Sequence, residues 1–218
     1  MLRYRAVLFD LDGTLVDSYS ALADAVNFAR RQFGLGDLSE ETIRDFVGEG
    51  LERLLRRAFD VEDVPAGATE AFEARYDEIC CEQSRVLDDV ENTLSALSRI
   101  GVAMAVCTNK PTSFSRKILE FLHLAPFFCA IVGPDTAGAR KPEPQHVLRT
   151  LEATNCRRAK FTASARAEYE STSVPSRSKR TARYLSIATR FYREFSAPLR
   201  KTAAVCCRAR LEASRWRS

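Results

Sequence analysis

The chain has 218 residues, of which 45% are hydrophobic, and its 33 lysines and arginines against 29 acidic residues give a formal net charge of +4. This is ordinary globular composition, and seven cysteines without a C-x-x-C spacing, together with only two histidines, exclude a disulfide or zinc framework. No run approaches the ~18 apolar residues that cross a bilayer, and no apolar leader precedes residue 6, so we expect a soluble cytoplasmic protein without a membrane partner.

The first predicted element is a short apolar strand, residues 6–9, that leads directly into two aspartates. Asp10 and Asp12 are separated by one residue and are followed by Gly13 and Thr14. Side chains at i and i+2 of an extended segment point the same way, so both carboxylates can face one ligand, while the glycine lets backbone N–H groups turn toward an anion. Two carboxylates this close repel unless a cation lies between them, which favours Mg²⁺ bridging carboxylate and phosphate.

Helical periodicity follows between residues 18 and 84. Apolar residues recur at helical spacing in 22–33 and in 51–59, and Ser39 precedes two glutamates in the manner of a helix N-terminus. A further helical stripe consists of Phe72, Tyr76, Ile79 and Gln83. The sequence therefore predicts an all-helical insert after the first strand.

Strands and helices then alternate. We predict a helix over 90–97, a strand over 102–107, a helix over 114–122, a strand over 130–132 that ends in a Gly133-Pro134 turn, and a helix over about 145–153. This alternation predicts an α/β fold with a Rossmann-like parallel sheet and right-handed crossovers. Such sheets bind ligands beyond the carboxyl ends of their strands, which places the chemistry at Asp10, at Thr108 and in the loop after Val132.

Three sequence motifs in this order resemble those of the haloacid dehalogenase-like phosphohydrolases. The run VLFDLDGTLVDS at 7–18 resembles the first motif, AVCTNKP at 105–111 resembles the strand that ends in Thr or Ser, and KPEP at 141–144 resembles the lysine motif. Within the insert, VGEGL at 47–51 is similar to the helical cap of phosphoglycolate phosphatases. The resemblance covers roughly residues 4–158, and it implies a core formed by 1–16 and 86–158 with a helical cap over 17–85.

The resemblance implies a covalent phosphoryl transfer. Asp10 would attack phosphorus to form an aspartyl phosphate, and Asp12 would protonate the leaving alkoxide and then deprotonate water. Thr108 and the backbone of Asn109 would bind phosphate oxygens, and Lys141 would offset the negative charge. Mg²⁺ would be the cofactor, with Asp10 and Asp12 as its carboxylate ligands. An acid at position 12 favours a phosphatase over the dehalogenases of the same family, which have no leaving alkoxide to protonate.

The C-terminal part of the chain departs from this pattern. Residues 1–156 carry 17 basic and 25 acidic side chains, whereas 157–218 carry 16 and 4, and no glycine or aspartate follows Gly138. The family's fourth motif, which supplies further aspartates, should fall near 161–169, where Glu168 could substitute only as a longer carboxylate without a supporting turn. We interpret 159–218 as an atypical basic tail that results from a shifted reading frame or a fusion near 156–160, and we expect weakened Mg²⁺ binding.

Within the same tail, 159–163 has the pattern of a further strand, 170–183 has the composition of a disordered linker, and Tyr184 and the apolar residues that follow it fit a basic amphipathic helix.

The sequence thus predicts a Mg²⁺-dependent phosphatase that acts on a small phosphorylated metabolite such as 2-phosphoglycolate. Three alternatives remain open: a sugar-phosphate mutase with a similar first motif and cap, a catalytically inactive relative that still binds phosphorylated ligands, and an anion-binding role for the basic tail. Nucleic acid is the less favoured partner because the tail lacks a recognisable nucleic-acid fold. The oligomeric state is not predicted.

Overall fold

The computed structural model describes residues 6–154 and the backbone of residues 204–205. Helices and strands follow one another in the order predicted from the sequence. In chain order the elements are β1 (Ala6–Phe9), β2 (Val16–Asp17), α1 (Tyr19–Gln32), α2 (Glu40–Phe46), α3 (Leu51–Phe59), α4 (Ala68–Ile79), β3 (Arg85–Val86), α5 (Val90–Arg99), β4 (Ala103–Cys107), α6 (Thr112–Phe121), a 3₁₀ turn (Ala125–Phe127), β5 (Ala130–Val132), α7 (Pro134–Ala137), α8 (Pro144–Ala153) and β6 (Ala204–Val205).

The main sheet has the predicted parallel core. Within the described part of the chain its order is β5-β4-β1-β6, and β1, β4 and β5 run parallel, with Leu8 opposite Ala105 and Ala105 opposite Ala130. Every residue of β1 is buried, because helices cover both faces of the sheet. The carboxyl ends of the three parallel strands therefore meet at one edge. The short β6 pairs with β1 in the antiparallel direction, an orientation that the sequence pattern did not anticipate.

The helical insert, α1–α4, leaves and rejoins the sheet domain at a two-stranded ribbon. β2 pairs antiparallel with β3, Val16 opposite Val86 and Asp17 opposite Arg85, so the chain enters and leaves the insert at adjacent points. The predicted apolar faces of these helices are buried, and α1 packs most extensively on α4. One continuous apolar core runs from the insert into the sheet, so the insert is seated over the strand ends.

Most of the predicted helix ends and turns are confirmed, and two are wrong. Ser39 precedes α2 and its hydroxyl accepts a hydrogen bond from the Thr42 N–H. Gln83 lies beyond the end of α4, since the helix stops at Ile79. Gly133-Pro134 is not a simple turn: Gly133 precedes the short helix α7, whose first residue is Pro134, a position that needs no backbone N–H.

Several predictions concern residues outside the described ranges. The further strand at 159–163, the linker at 170–183, the basic helix after Tyr184 and the substitute carboxylate Glu168 all lie there, as does the proposed break near 156–160. These stay predictions. Across residues 6–154, no helix combines the length and the apolar character that a bilayer crossing requires.

Candidate active site

The ends of β1, β4 and β5 bring the predicted site residues together. Asp10 follows β1, Thr108 follows β4 and Gly133 follows β5, and the loop between α7 and α8 carries Lys141 back to the same edge. Parallel strands align their carboxyl ends, so residues that are distant in sequence become neighbours. The structure therefore brings the predicted site residues to one edge of the sheet.

Asp10 forms an ion pair with the predicted lysine. The Lys141 Nζ lies 2.8 Å from Asp10 Oδ1, and the Leu11 N–H donates to the same oxygen at 2.8 Å. The Asp10 side chain is 36% exposed and that of Lys141 is 18% exposed. No residue in 6–154 donates a hydrogen bond to Oδ2 of Asp10, so this oxygen is available to a ligand.

Asp12 is held by a different lysine. Its Oδ1 accepts a hydrogen bond from the Ser18 hydroxyl and lies 2.8 Å from the Lys110 Nζ. Its Oδ2 receives no donor from residues 6–154. The side chains of Asp12 and Lys110 are 14% and 5% exposed, so this ion pair is far more secluded than the pair that Asp10 makes with Lys141.

Lys110 reaches from the sheet to the insert. Its Nζ also donates to the Tyr76 hydroxyl and lies 4.8 Å from the centre of the Tyr76 ring. Burial alone would lower the pKa of Lys110, but the Asp12 carboxylate and the Tyr76 hydroxyl raise it above its usual range. Burial raises the pKa of Tyr76 to about 12, so Lys110 is a permanent cation and Tyr76 a neutral phenol.

The phosphate-binding candidates occupy the loop after β4. Thr108 is buried, lines the cavity and accepts a hydrogen bond from the Lys110 N–H at 3.2 Å. The Asn109 side chain has a bridging role that the sequence did not predict: its amide donates to the Gly48 carbonyl at 2.9 Å and to the Lys141 carbonyl at 3.0 Å, and its oxygen accepts from the Lys141 N–H at 2.8 Å. Asn109 therefore fixes the lysine loop and a loop of the insert to the end of β4.

A cavity of about 100 Å³ lies between this edge and the helical insert. Its wall is polar on the sheet side, where Asp10, Asp12 and Thr108 contribute, and largely apolar on the side of the insert. Burial, reinforced by the Asp12 carboxylate, raises the pKa of Tyr19 on this wall. The apolar lining residues are Leu22, Val47, Leu51, Leu54, Phe72, Pro111 and Phe114. The cavity suits a small ligand with one strongly anionic end.

The two carboxylates at the end of β1 fit Mg²⁺ to different degrees. Among residues 6–154, no cluster of three or more His, Cys, Asp or Glu side chains could hold a metal. Mg²⁺ usually keeps several waters and binds through one or two carboxylates together with a substrate phosphate. The free Oδ2 of Asp10 fits this kind of site. Asp12 fits less well as a direct ligand, because Lys110 already balances its charge.

Sequence reasoning missed three residues of this site. Lys110 and Ser18 lie inside the quoted motifs without a role, and Tyr76 was read only as part of an apolar helical stripe. A lysine directly after a buried strand is unusual, because burial of an ammonium group requires a partner. That signal could have marked Lys110, but it could not have named Asp12 or Tyr76 as the partners.

Comparisons with known proteins agree with this fold. The family model described as haloacid dehalogenase-like hydrolase matches residues 7–162. Phosphoglycolate phosphatases from Aquifex aeolicus and Caulobacter vibrioides are 38% and 37% identical over 152 and 153 residues, which cover 68% and 67% of this chain and 69% and 65% of theirs. A crystal structure of a predicted phosphoglycolate phosphatase from Haemophilus somnus is 28% identical, with a TM-score of 0.63 over 71% of this chain and 73% of that chain.

The matched region has a limited extent. The chain spans about two thirds of the length of the curated relatives it matches. The family match ends at residue 162, within the stretch 161–169 where the fourth motif was expected.

Proposed function

The chain belongs to the haloacid dehalogenase-like hydrolases, and on this premise we propose that it is a phosphatase that hydrolyses small phosphate monoesters such as 2-phosphoglycolate. One observation carries the proposal most directly: Asp10 and Asp12 lie at one strand end, each is paired to its own lysine through Oδ1, and both carboxylates line one cavity. The names of the curated relatives support 2-phosphoglycolate as the first substrate to test.

The two carboxylates take different roles in the proposed reaction. One oxygen of the exposed Asp10 carboxylate attacks phosphorus, and the bond from phosphorus to the ester oxygen breaks. Asp12 carries a proton in the substrate complex and gives it to that oxygen, so the leaving group departs as an alcohol. Asp12 then takes a proton from water as the water attacks the aspartyl phosphate, which releases inorganic phosphate and restores both the Asp10 carboxylate and the protonated Asp12. The difference in burial supports this division, because a nucleophile must be open to the substrate.

The surrounding groups bind and orient the phosphate. Lys141 offsets the charge that accumulates when a phosphate dianion approaches the Asp10 carboxylate. Thr108 supports the same phosphate from the end of β4. Asn109 holds the backbone of Lys141 in place. Residues of the insert line the cavity, so they limit the access of water to the bound ester.

Mg²⁺ fits this proposal as the cofactor. The Asp10 carboxylate would hold it through the oxygen that does not attack phosphorus, with Asp12 facing the same site. When bound, the cation neutralises phosphate charge and orients the ester for attack. The fourth motif would fall among residues outside the described ranges. From its predicted loss we expect weak affinity for Mg²⁺.

The proposal is tested by phosphate release from 2-phosphoglycolate by the purified full-length chain across Mg²⁺ concentrations up to several millimolar. The Asp10→Asn variant removes the nucleophile, and we expect activity to fall by at least about 10³-fold. Asp17→Asn is the matched control, because Asp17 lies near the site in β2 but pairs with Arg85 on the ribbon.

The outcomes separate the candidate functions. Turnover that requires Mg²⁺ and Asp10 but not Asp17 supports the phosphatase. Binding of 2-phosphoglycolate without turnover at any Mg²⁺ concentration contradicts the enzymatic proposal and supports a ligand-binding relative. Equal activity in the Asp10→Asn variant means that a contaminant is responsible and also contradicts the proposal.

A further inference from the structure

The Asp12 carboxylate is anchored asymmetrically. Both donors that contact it, the Ser18 hydroxyl and the Lys110 ammonium, contact Oδ1. Oδ2 receives none from residues 6–154, and the carboxylate lines the cavity. Two donors on one oxygen restrict rotation of the carboxyl group about its last bond. Oδ2 is thereby left for a ligand that enters the cavity.

Lys110 is buried more deeply than a lysine that merely balances charge at a surface. Its side chain is 5% exposed. The polar contacts of its ammonium group within residues 6–154 are Asp12, on the sheet side, and the Tyr76 hydroxyl, on the insert side. Removing an ammonium from water is unfavourable unless its partners are well placed. The position of Lys110 therefore depends on both of these groups.

Tyr76 is itself fixed within the insert. It belongs to α4, its ring stacks on Phe72 at a centroid distance of 5.4 Å, and Phe114 of α6 meets it edge-on at 5.1 Å. The residue is 1% exposed. A rigid phenol on the insert thus determines where the Lys110 ammonium lies, and Lys110 in turn contacts the carboxylate at the end of β1.

We propose that Lys110 is a positioning residue, set in place by Tyr76, that holds Asp12 with Oδ2 directed at the ester oxygen of the substrate. The inference rests on the proposed phosphatase function. It assigns to the insert a part in the proton transfer as well as in covering the cavity. The chain of contacts runs from Tyr76 through Lys110 to Asp12, and Ser18 provides the second anchor.

Esters whose leaving groups differ in basicity distinguish a positioning role of Lys110 from substrate recognition and from a purely structural role. An alkoxide needs a proton as the ester bond breaks, whereas p-nitrophenolate leaves without one. A defect in the orientation of Asp12 should therefore slow the hydrolysis of alkyl esters and spare an aryl ester. A group that recognises the carboxylate of 2-phosphoglycolate would instead act only on that substrate. A purely structural residue would affect all substrates alike.

The experiment compares kcat/KM for 2-phosphoglycolate, ethyl phosphate and p-nitrophenyl phosphate in the full-length chain and in Lys110→Met. The ratio kcat/KM is used because it reports the steps through departure of the leaving group. Lys117→Met is the matched control: Lys117 also joins the sheet domain to the insert, through Asp77 at 2.6 Å, but in an exposed position.

We expect Lys110→Met to lower kcat/KM by about 10²-fold on both alkyl esters and by less than about threefold on p-nitrophenyl phosphate. Tyr76→Phe and Ser18→Ala remove one contact each, and we expect about tenfold losses with the same substrate pattern. If Lys110→Met does not fold, the inference is tested with these two milder variants. Lys117→Met should match the wild type on all three esters.

Four results would overturn the inference. Equal losses on all three esters mean a structural role, and a loss confined to 2-phosphoglycolate means recognition of its carboxylate. No loss in the variants, with an active wild type, shows that Asp12 is oriented without Lys110. A wild type that hydrolyses none of the esters overturns the phosphatase proposal and this inference together, so the two failures are distinguishable.

Discussion

The two aspartate–lysine pairs at the end of β1 have the same length and lie in different surroundings. Both have a nitrogen–oxygen distance of 2.8 Å. In the open pair, Asp10 and Lys141, the side chains are 36% and 18% exposed, while in the buried pair, Asp12 and Lys110, they are 14% and 5% exposed. The distance alone therefore does not say what each pair contributes.

The difference in burial suits the two pairs to different roles: the open pair to binding phosphate, and the buried pair to fixing the position of a carboxylate. In the open pair, Asp10 lines the cavity, and in the proposed reaction an incoming phosphate shares Lys141 with Asp10. The buried pair has little contact with water, so its mutual attraction is screened less. It is suited to holding a carboxylate in one orientation. The following predictions test this contrast through the stability of the protein.

The largest expected effect follows from removing each lysine in turn. Lys110→Met leaves the Asp12 carboxylate buried without its cation, and we expect the free energy of unfolding to fall by about 3 kcal/mol. Lys141→Met leaves a partly hydrated carboxylate, and we expect a loss below about 1 kcal/mol. Urea denaturation of both variants measures the difference.

The double variant Lys110→Met with Asp12→Asn serves as the control, since it removes both charges and should recover part of the loss. Equal destabilisation by the two single lysine variants would contradict the distinction between a buried and an open pair.

A smaller effect is expected at the loop that supports the buried pair. A Cβ atom on Gly133 would lie 2.5 Å from the Lys110 carbonyl oxygen and 2.7 Å from the Thr112 nitrogen. Both are backbone atoms, so the loop that carries Lys110 must shift. We expect Gly133→Ala to lower the free energy of unfolding by about 1–3 kcal/mol.

Gly36→Ala is the matched control for this substitution, because no atom lies within 4 Å of the position of its added Cβ. The two variants are compared by denaturant unfolding. Similar unfolding free energies for both would show that the loop after β5 accommodates a methyl group, and that the buried pair does not depend on its close approach.

The smallest effect concerns pH and the helix that follows Lys141. His146 in α8 is buried, and its Nε2 lies 3.1 Å from the Val132 carbonyl oxygen. Burial lowers the pKa of His146 below its ordinary value of 6.5, although the bond to Val132 opposes this shift. Below pH 6.5 His146 therefore binds a proton more readily in the unfolded chain than in the folded chain. Stability should fall as the pH drops below that value, until the lower folded-state pKa is passed.

Unfolding free energies at pH 7.5 and 5.5 measure this effect in the wild type and in His146→Asn, where we expect a weaker dependence on pH. His123→Asn is the control, since His123 is exposed and its positive φ of 57° suits asparagine. An unchanged pH dependence in His146→Asn would show that other groups account for it.

Much of the fold followed from local patterns. The apolar run at 6–9, the helical spacing of the insert and the later alternation of strands and helices predicted β1, α1–α4 and the parallel order of β4 and β5. These features depend on residues within one or two turns of each other, so a sequence displays them directly. The end of α4 and the start of α7 were not predicted correctly, because the point at which a helix begins or ends also depends on tertiary packing.

The candidate site was predicted in part. Asp10, Asp12, Thr108, Asn109 and Lys141 were all named, and the structure brings them to one edge. The structure adds contacts of the Asn109 and Lys110 side chains that the motifs did not indicate, because each reaches the insert, at Gly48 and at Tyr76.

By itself the sequence determined which strand ends carry carboxylates and that a lysine would return to them, since strand periodicity and motif order are properties of the chain. Only the tertiary structure decided which lysine meets which aspartate and how deeply each pair is buried. That outcome depends on how the helical insert packs over the sheet, where Tyr76 fixes Lys110. Ion pairing between distant segments follows from their placement in three dimensions, and no local pattern encodes it.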